Sequence, residues 1–159
     1  MAQDERVPDP SDDIGIQLGL AYAAFVEWLN AEMAVAGFDD VGSGFGYVFR
    51  LLAPGPTTLT ALAADLRMTT QGAAKIIASM EEAGYVSRRV DPADARARLI
   101  ELDDRGRAAA RTARRLHARF ERHITAEVGD RRWSTFRSVL ATVADVSETD
   151  PADRRLRPL

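Results

Sequence analysis

The thirty residues from Thr57 to Val86, TTLTALAADLRMTTQGAAKIIASMEEAGYV, constrain the fold most, because they hold two short helical patterns divided by a tight turn. The first runs from Leu59 to Leu66 and the second from Thr69 or Thr70 to Gly84, with Arg67-Met68 between them. Thr69 can cap the open amides of the second helix, and Gly84 can take the left-handed conformation that ends it. Ala61, Leu62, Leu66, Ile76, Ile77 and Met80 supply a shared apolar seam. Two such helices meeting across a turn form a helix-turn-helix candidate.

The segment after Gly84 reads as a hairpin. YVSRRV and RLIEL have strand propensity, and Asp91-Pro92-Ala93-Asp94-Ala95 between them has the chemistry of a turn. Longer helices flank this centre. Leu18, Tyr22, Phe25, Val26, Leu29 and Met33 recur at helical steps, with Gly37 as a stop. Residues 41–53 predict a short helix ending at Pro54. From Asp103 to Val128 a long helix carries Ala109, Ala113, Leu116, Phe120, Ile124 and Val128 in one stripe, and a last helix from Asp130 to Val146 is expected to bury Trp133, Phe136, Val139, Leu140 and Val143. The expected organisation is an acidic disordered arm over 1–13, a helix in 14–40, the helix-turn-helix and hairpin in 41–102, two helices in 103–148 and a basic tail over 149–159. The fold class is mostly α with a small β-hairpin wing.

The chain has 159 residues, no cysteine and a formal charge of −3. The missing cysteine removes disulfides, thiolate zinc sites, iron–sulfur clusters and thiol redox switches. No apolar run nears the roughly 20 residues needed to cross a bilayer, and the opening MAQDERVPDP lacks the basic-then-apolar order of a secretory signal, so a cytoplasmic location and no membrane partner are expected. Net acidity by itself opposes a nucleic-acid partner, but the charge is unevenly spread. Residues 1–49 hold Arg6 against nine carboxylates, which leaves the remainder with five net positive charges.

A helix entering the major groove reads bases from its N-terminal end, where its first amides also hold phosphate. The helix at Thr69 suits that role, since Thr69, Thr70, Gln71, Ala73, Ala74 and Lys75 are small or polar and are expected to be exposed. Gly72 costs roughly 1 kcal/mol against alanine inside a helix; close approach to DNA explains it, as does a neutral surface position. The hairpin adds Arg88, Arg89, Arg96 and Arg98, a cluster suited to phosphates and to a narrow minor groove. An ordinary solvated surface is the competing reading.

Over residues 59–107 the chain resembles the winged helix-turn-helix of the MarR (multiple antibiotic resistance regulator) transcription factors. The matching motifs are L-A-x-x-L at Leu62 to Leu66, E-x-x-G-Y-V-x-R at Glu81 to Arg88, and D-P-x-D-x-R followed by L-x-x-x-G between Asp91 and Gly106. The resemblance implies a homodimer whose N-terminal and last two helices interleave, presenting two recognition helices to a palindromic double-stranded operator. It implies that a small ligand, commonly an aromatic acid, binds between the dimer and winged domains and weakens DNA binding. Arg96 matches the arginine that enters the minor groove, and Asp94 the aspartate that holds the wing, expected to act through an ion pair. Thr69, Thr70, Gln71 and Lys75 fall on the recognition face. Ala95, Ala73 and Ala74 depart from the common pattern, which bears on operator sequence more than on fold.

Other features carry less. His117 and His123 are six apart, where ligands on one helix face are three or four apart, so no metal is expected. Gly42-Ser43-Gly44-Phe45-Gly46 lacks the ending of a phosphate loop, and no catalytic motif or cofactor is expected. Tyr22, Trp28 and Tyr47 are candidates for a ligand-pocket wall, against core or dimer interface. The arginines of the long helix read as a solvated face. The expected function is a DNA-binding transcriptional regulator and not an enzyme. The alternatives are a winged-helix module that binds another protein, or a small helical ligand-binding protein or enzyme.

Overall fold

In the computed structural model, residues 13–42 and 44–145 are described; the expected tail over 149–159 and all of the acidic arm except Asp13 lie outside them. The elements are α1 (Ile14–Val35), α2 (Phe45–Leu52), β1 (Thr57–Thr58), α3 (Leu59–Asp65), α4 (Thr70–Glu82), β2 (Val86–Val90), β3 (Arg98–Leu102), α5 (Asp104–Val128) and α6 (Asp130–Asp145). The mostly helical fold with a hairpin wing is as the sequence indicates. Three details differ. The helix expected over 41–53 begins only at Phe45, after Gly44 at φ +85°. A two-residue strand, β1, pairs with β3 through Thr57↔Ile100 and Thr58↔Leu99, making the sheet three-stranded in the order β1-β3-β2. The third is the exposure of α6.

None of the residues of α6 is buried, and Phe136, Val139 and Val143 are 45%, 53% and 45% exposed. The apolar stripe exists, but in a single chain little covers it.

Helix α1 is a compact unit by itself, separate from the unit that begins at Asp40. Its start is capped by Asp13, whose Oδ1 accepts the amides of Gly15 at 2.8 Å and Ile16 at 3.2 Å. Its end closes on Gly37, at φ +88°. Ile14 and Leu20 are each 66% exposed, a large apolar area for one helix.

The second unit holds the winged helix. α3 ends when Met68 N donates to Ala63 O (3.0 Å) and Arg67 N to Ala64 O (3.1 Å), with Arg67 itself left-handed at φ +50°. α4 ends in the same bonded pattern, from Tyr85 N to Met80 O and from Gly84 N to Glu81 O, with Gly84 at φ +72°. These two caps turn the chain sharply while keeping the last carbonyls bonded. Between them Leu62 and Ala63 of α3, Leu66 just after it, and Ala73, Ile77 and Met80 of α4 are buried, which is the seam. Ala61, expected in it, is exposed.

Tyr85 is the centre of this unit. Fully buried, it meets the edges of Phe45 and Phe49 at centroid distances of 5.8 and 5.4 Å. Its hydroxyl donates to Asp40 Oδ1, and Arg105 covers its ring with the guanidinium carbon 4.5 Å from the centroid. Arg105 also donates to Asp40 Oδ1 at 2.9 Å and to the carbonyl of Ala83. The Tyr85 carbonyl accepts the amide of Asp103 at 2.9 Å, which seats the first turn of α5 against the start of β2. Gly106 makes that approach possible: a Cβ there would overlap the Tyr85 carbonyl oxygen.

Candidate nucleic-acid interface

Helix α4 begins at Thr69, whose hydroxyl accepts the amide of Gly72 at 3.1 Å, as the sequence predicts for its cap. Thr69, Thr70, Gln71 and Lys75 are all exposed. Ala73 is not: it is fully buried, a correction to its place among the exposed positions. Four residues before Ile77 and seven before Met80, it shares their face. Ala74 is half-buried, and Ala78 and Ser79, which no sequence motif singles out, are exposed. The open side of α4 thus carries Gln71, Lys75 and Ala78 at helical spacing, low in profile around two polar side chains. Gly72 has a local role, because a Cβ there would stand 3.3 Å from the capping hydroxyl of Thr69.

The wing tip is two consecutive turns. Asp94 N donates to Asp91 O (3.2 Å), and Ala97 N to Asp94 O (2.9 Å). Each turn is opened by an aspartate whose Oδ1 accepts the amide two residues on, Ala93 N for Asp91 and Arg96 N for Asp94, both at 2.9 Å. Asp94 thus braces the second turn through the Arg96 amide, and among the described residues it makes no ion pair of the kind expected of it.

The four hairpin arginines are not equivalent. Arg88 Nη2 lies 3.2 Å from Glu81 of α4, and Arg89 Nε 3.0 Å from Glu101 of β3. Arg98 turns back on the tip, donating to the carbonyls of Ala95 and Ala97 at 3.2 and 3.4 Å. Arg96 is exposed, and among the described residues its guanidinium has no hydrogen-bond or ion-pair partner. The sequence presented one cluster; the structure divides it into engaged arginines and a free one at the tip.

Electrostatics behind this surface fix its frame. The hydroxyl of Tyr85, followed by Arg105, holds the Asp40 carboxyl below the usual carboxylate range. Arg107 does the same for Asp104 at the start of α5. His117 is held below the usual imidazole range by its partial burial, a depression that Glu121 opposes and Arg50 adds to. Of the pocket candidates, Tyr22 is 44% exposed and Trp28 half-buried on α1, where Phe25 stands 6.3 Å from Trp28, and Tyr47 is half-buried on α2. Among the described residues no helix is long and apolar enough to cross a membrane.

No curated protein matches the chain by sequence. The model of the MarR family matches residues 47–97. Among solved structures, the regulator PcaV from Streptomyces coelicolor, in complex with its natural ligand, is 21% identical with a TM-score of 0.66, over 93% of this chain and all (100%) of that one. FabT of Streptococcus pneumoniae in complex with DNA is 18% identical with a TM-score of 0.67, over 84% and 96%. The repressor CouR bound to a 23-mer DNA duplex is 24% identical with a TM-score of 0.66, over 89% and 99%. At these identities the likeness is one of fold, and it spans nearly the whole of each relative. The winged helix of this chain is thus similar to the MarR family model over residues 47–97, and the chain as a whole shares the fold of these solved transcriptional regulators.

Proposed function

We propose that the chain is a homodimeric DNA-binding transcription regulator of the cytoplasm, a repressor that holds a palindromic operator and is released by a small ligand. In this reading residues 41–102 bind DNA, while 14–40 and 103–148 form the dimer. α4 enters the major groove with Thr69, Thr70, Gln71 and Lys75 toward bases and phosphates, and the wing tip enters the minor groove through Arg96. The observation that carries the reading is that tip: two aspartate-opened turns present one arginine with no partner among the described residues, where the minor-groove potential favours a guanidinium. Two half-sites about 34 Å apart must be met at once, so a small change in the spacing of the two lobes alters affinity strongly.

Support for the dimer comes from apolar surface: Ile14, Leu20, Phe136, Val139 and Val143 are left open by a single chain. Support for DNA and effector comes from relatives of the same fold, FabT and CouR with DNA, PcaV with its ligand, and CouR of Rhodococcus jostii with p-coumaroyl-CoA. The effector is a small molecule, with aromatic acids the leading class and Tyr22, Trp28 and Tyr47 the aromatic residues to recognise it.

Footprinting on the chain's own promoter region tests the reading. Protection of a palindrome is expected, and Arg96→Ala should weaken it by about 1–3 kcal/mol while leaving the fold intact. Absence of any salt-sensitive DNA binding would transfer the same surface to a protein partner.

A further inference from the structure

The hairpin carries its own carboxylates, and their placement leads to an inference that rests on the DNA reading. Neighbouring residues of a strand face opposite sides of the sheet, so Arg88 and Arg89 of β2 are separated. Arg88 shares a side with buried Val86 and reaches Glu81, eleven residues beyond Thr70 in α4. That places its guanidinium about 16 Å along the helix axis from the proposed reading end. The Arg88 pair links β2 to α4 at the end of the helix away from the proposed reading end.

The Arg89 pair is different because both members belong to the hairpin. In the β2–β3 register Ser87 faces Glu101 and Arg89 faces Leu99, so Arg89 and Glu101 meet on the diagonal of the outer side. Their side chains are 41% and 34% exposed. A pair this open to water is weak, and a guanidinium fork fits a phosphate as well as it fits a carboxylate. Arg89 also stands two residues before the turn that begins at Asp91, close to the tip proposed to meet DNA.

We propose that Glu101 sets the strength with which the wing holds DNA of any sequence, by competing with backbone phosphate for the guanidinium of Arg89. While the pair is closed, Arg89 is neutralised and attracts no phosphate. Docking replaces the carboxylate by phosphate, so the new contact is gained against a lost one. The base-reading side chains of α4 are untouched, and operator and random DNA are affected by the same factor.

The test uses the full chain, a labelled random-sequence duplex and a salt series. Glu101→Gln keeps the shape of the side chain and removes its charge. It should tighten binding about three- to tenfold near 0.1 M salt and steepen the plot of log K against log salt by about 0.9 per wing, the increment of one more phosphate contact. In an Arg89→Ala background the same substitution should change neither quantity, because its effect passes through that arginine. An equal gain in both backgrounds would overturn the proposal in favour of simple repulsion between Glu101 and DNA. Unchanged binding by Glu101→Gln, where the parent protein binds, would overturn it alone. Failure of the parent protein to bind any duplex would defeat the DNA reading itself.

Discussion

Gly106→Ala sets two physical effects against each other with opposite signs. By helix propensity alone the change should stabilise α5, since alanine is favoured over glycine by about 1 kcal/mol inside a helix. The structure predicts the reverse. The new Cβ would overlap the backbone carbonyl oxygen of Tyr85, with the carbonyl carbon at 3.0 Å and Leu102 Cδ2 at 3.2 Å. Leu102 has room to rotate only within a packed core, and the carbonyl cannot move alone because it accepts Asp103 N at 2.9 Å. Overpacking of this kind costs about 1–3 kcal/mol, and a strained backbone hydrogen bond about 1 kcal/mol more. Less the propensity gain, the net loss is about 2 kcal/mol, or a fall in melting temperature of about 4–8 °C for a chain of this size. Thermal melts followed by circular dichroism at one fixed protein concentration measure it. Gly46→Ala in α2 is the control, because a Cβ there meets nothing within 4 Å and should raise stability slightly. A melting temperature that rises for Gly106→Ala would refute the packing argument.

Three further outcomes are open to measurement. Thr69→Ala removes the acceptor for Gly72 N and should cost about 1 kcal/mol in chemical denaturation, with operator affinity falling as the start of α4 frays. Asp40 has a folded pKa below its unfolded value, so its contribution is present above about pH 4 and lost as pH falls through the folded pKa. Asp40→Asn should therefore lower stability at neutral pH and flatten the acid limb of a stability–pH profile, and an unchanged limb would show that the Tyr85–Asp40–Arg105 cluster contributes nothing there. Val139→Glu, on the open stripe of α6, should shift sedimentation from dimer toward monomer while the winged helix keeps its melting transition; a dimer that persists would place the interface elsewhere.

Particular residues show why some of this was legible in the chain and some was not. Thr69 and Gly84 mark the ends of α4 through chemistry that is local: a hydroxyl three residues from an amide, and a residue without Cβ at positive φ. Period and caps therefore located the helices and the hairpin. Strand β1 is only two residues long, too short for any pattern, and exists because β3 offers it a partner. Ala73 was legible as buried from its spacing to Ile77 and Met80, and its small side chain led to its misplacement among the exposed positions. The burial expected along α6 misread a real apolar stripe, because a pattern reports which side avoids water without saying what covers it.

Propensity, spacing and caps depend on residues within one or two turns of each other, and so the succession of helices, the wing and the family they resemble were already written in the chain. Which arginines are engaged was settled only by folding. Glu81 and Arg88 meet between a helix and a strand, Asp40 reaches Tyr85 and Arg105 across 45 and 65 residues, and Arg96 is left open at the tip. An ion pair acts over a few ångströms of space, and separation along a chain says nothing about that distance until the chain has folded.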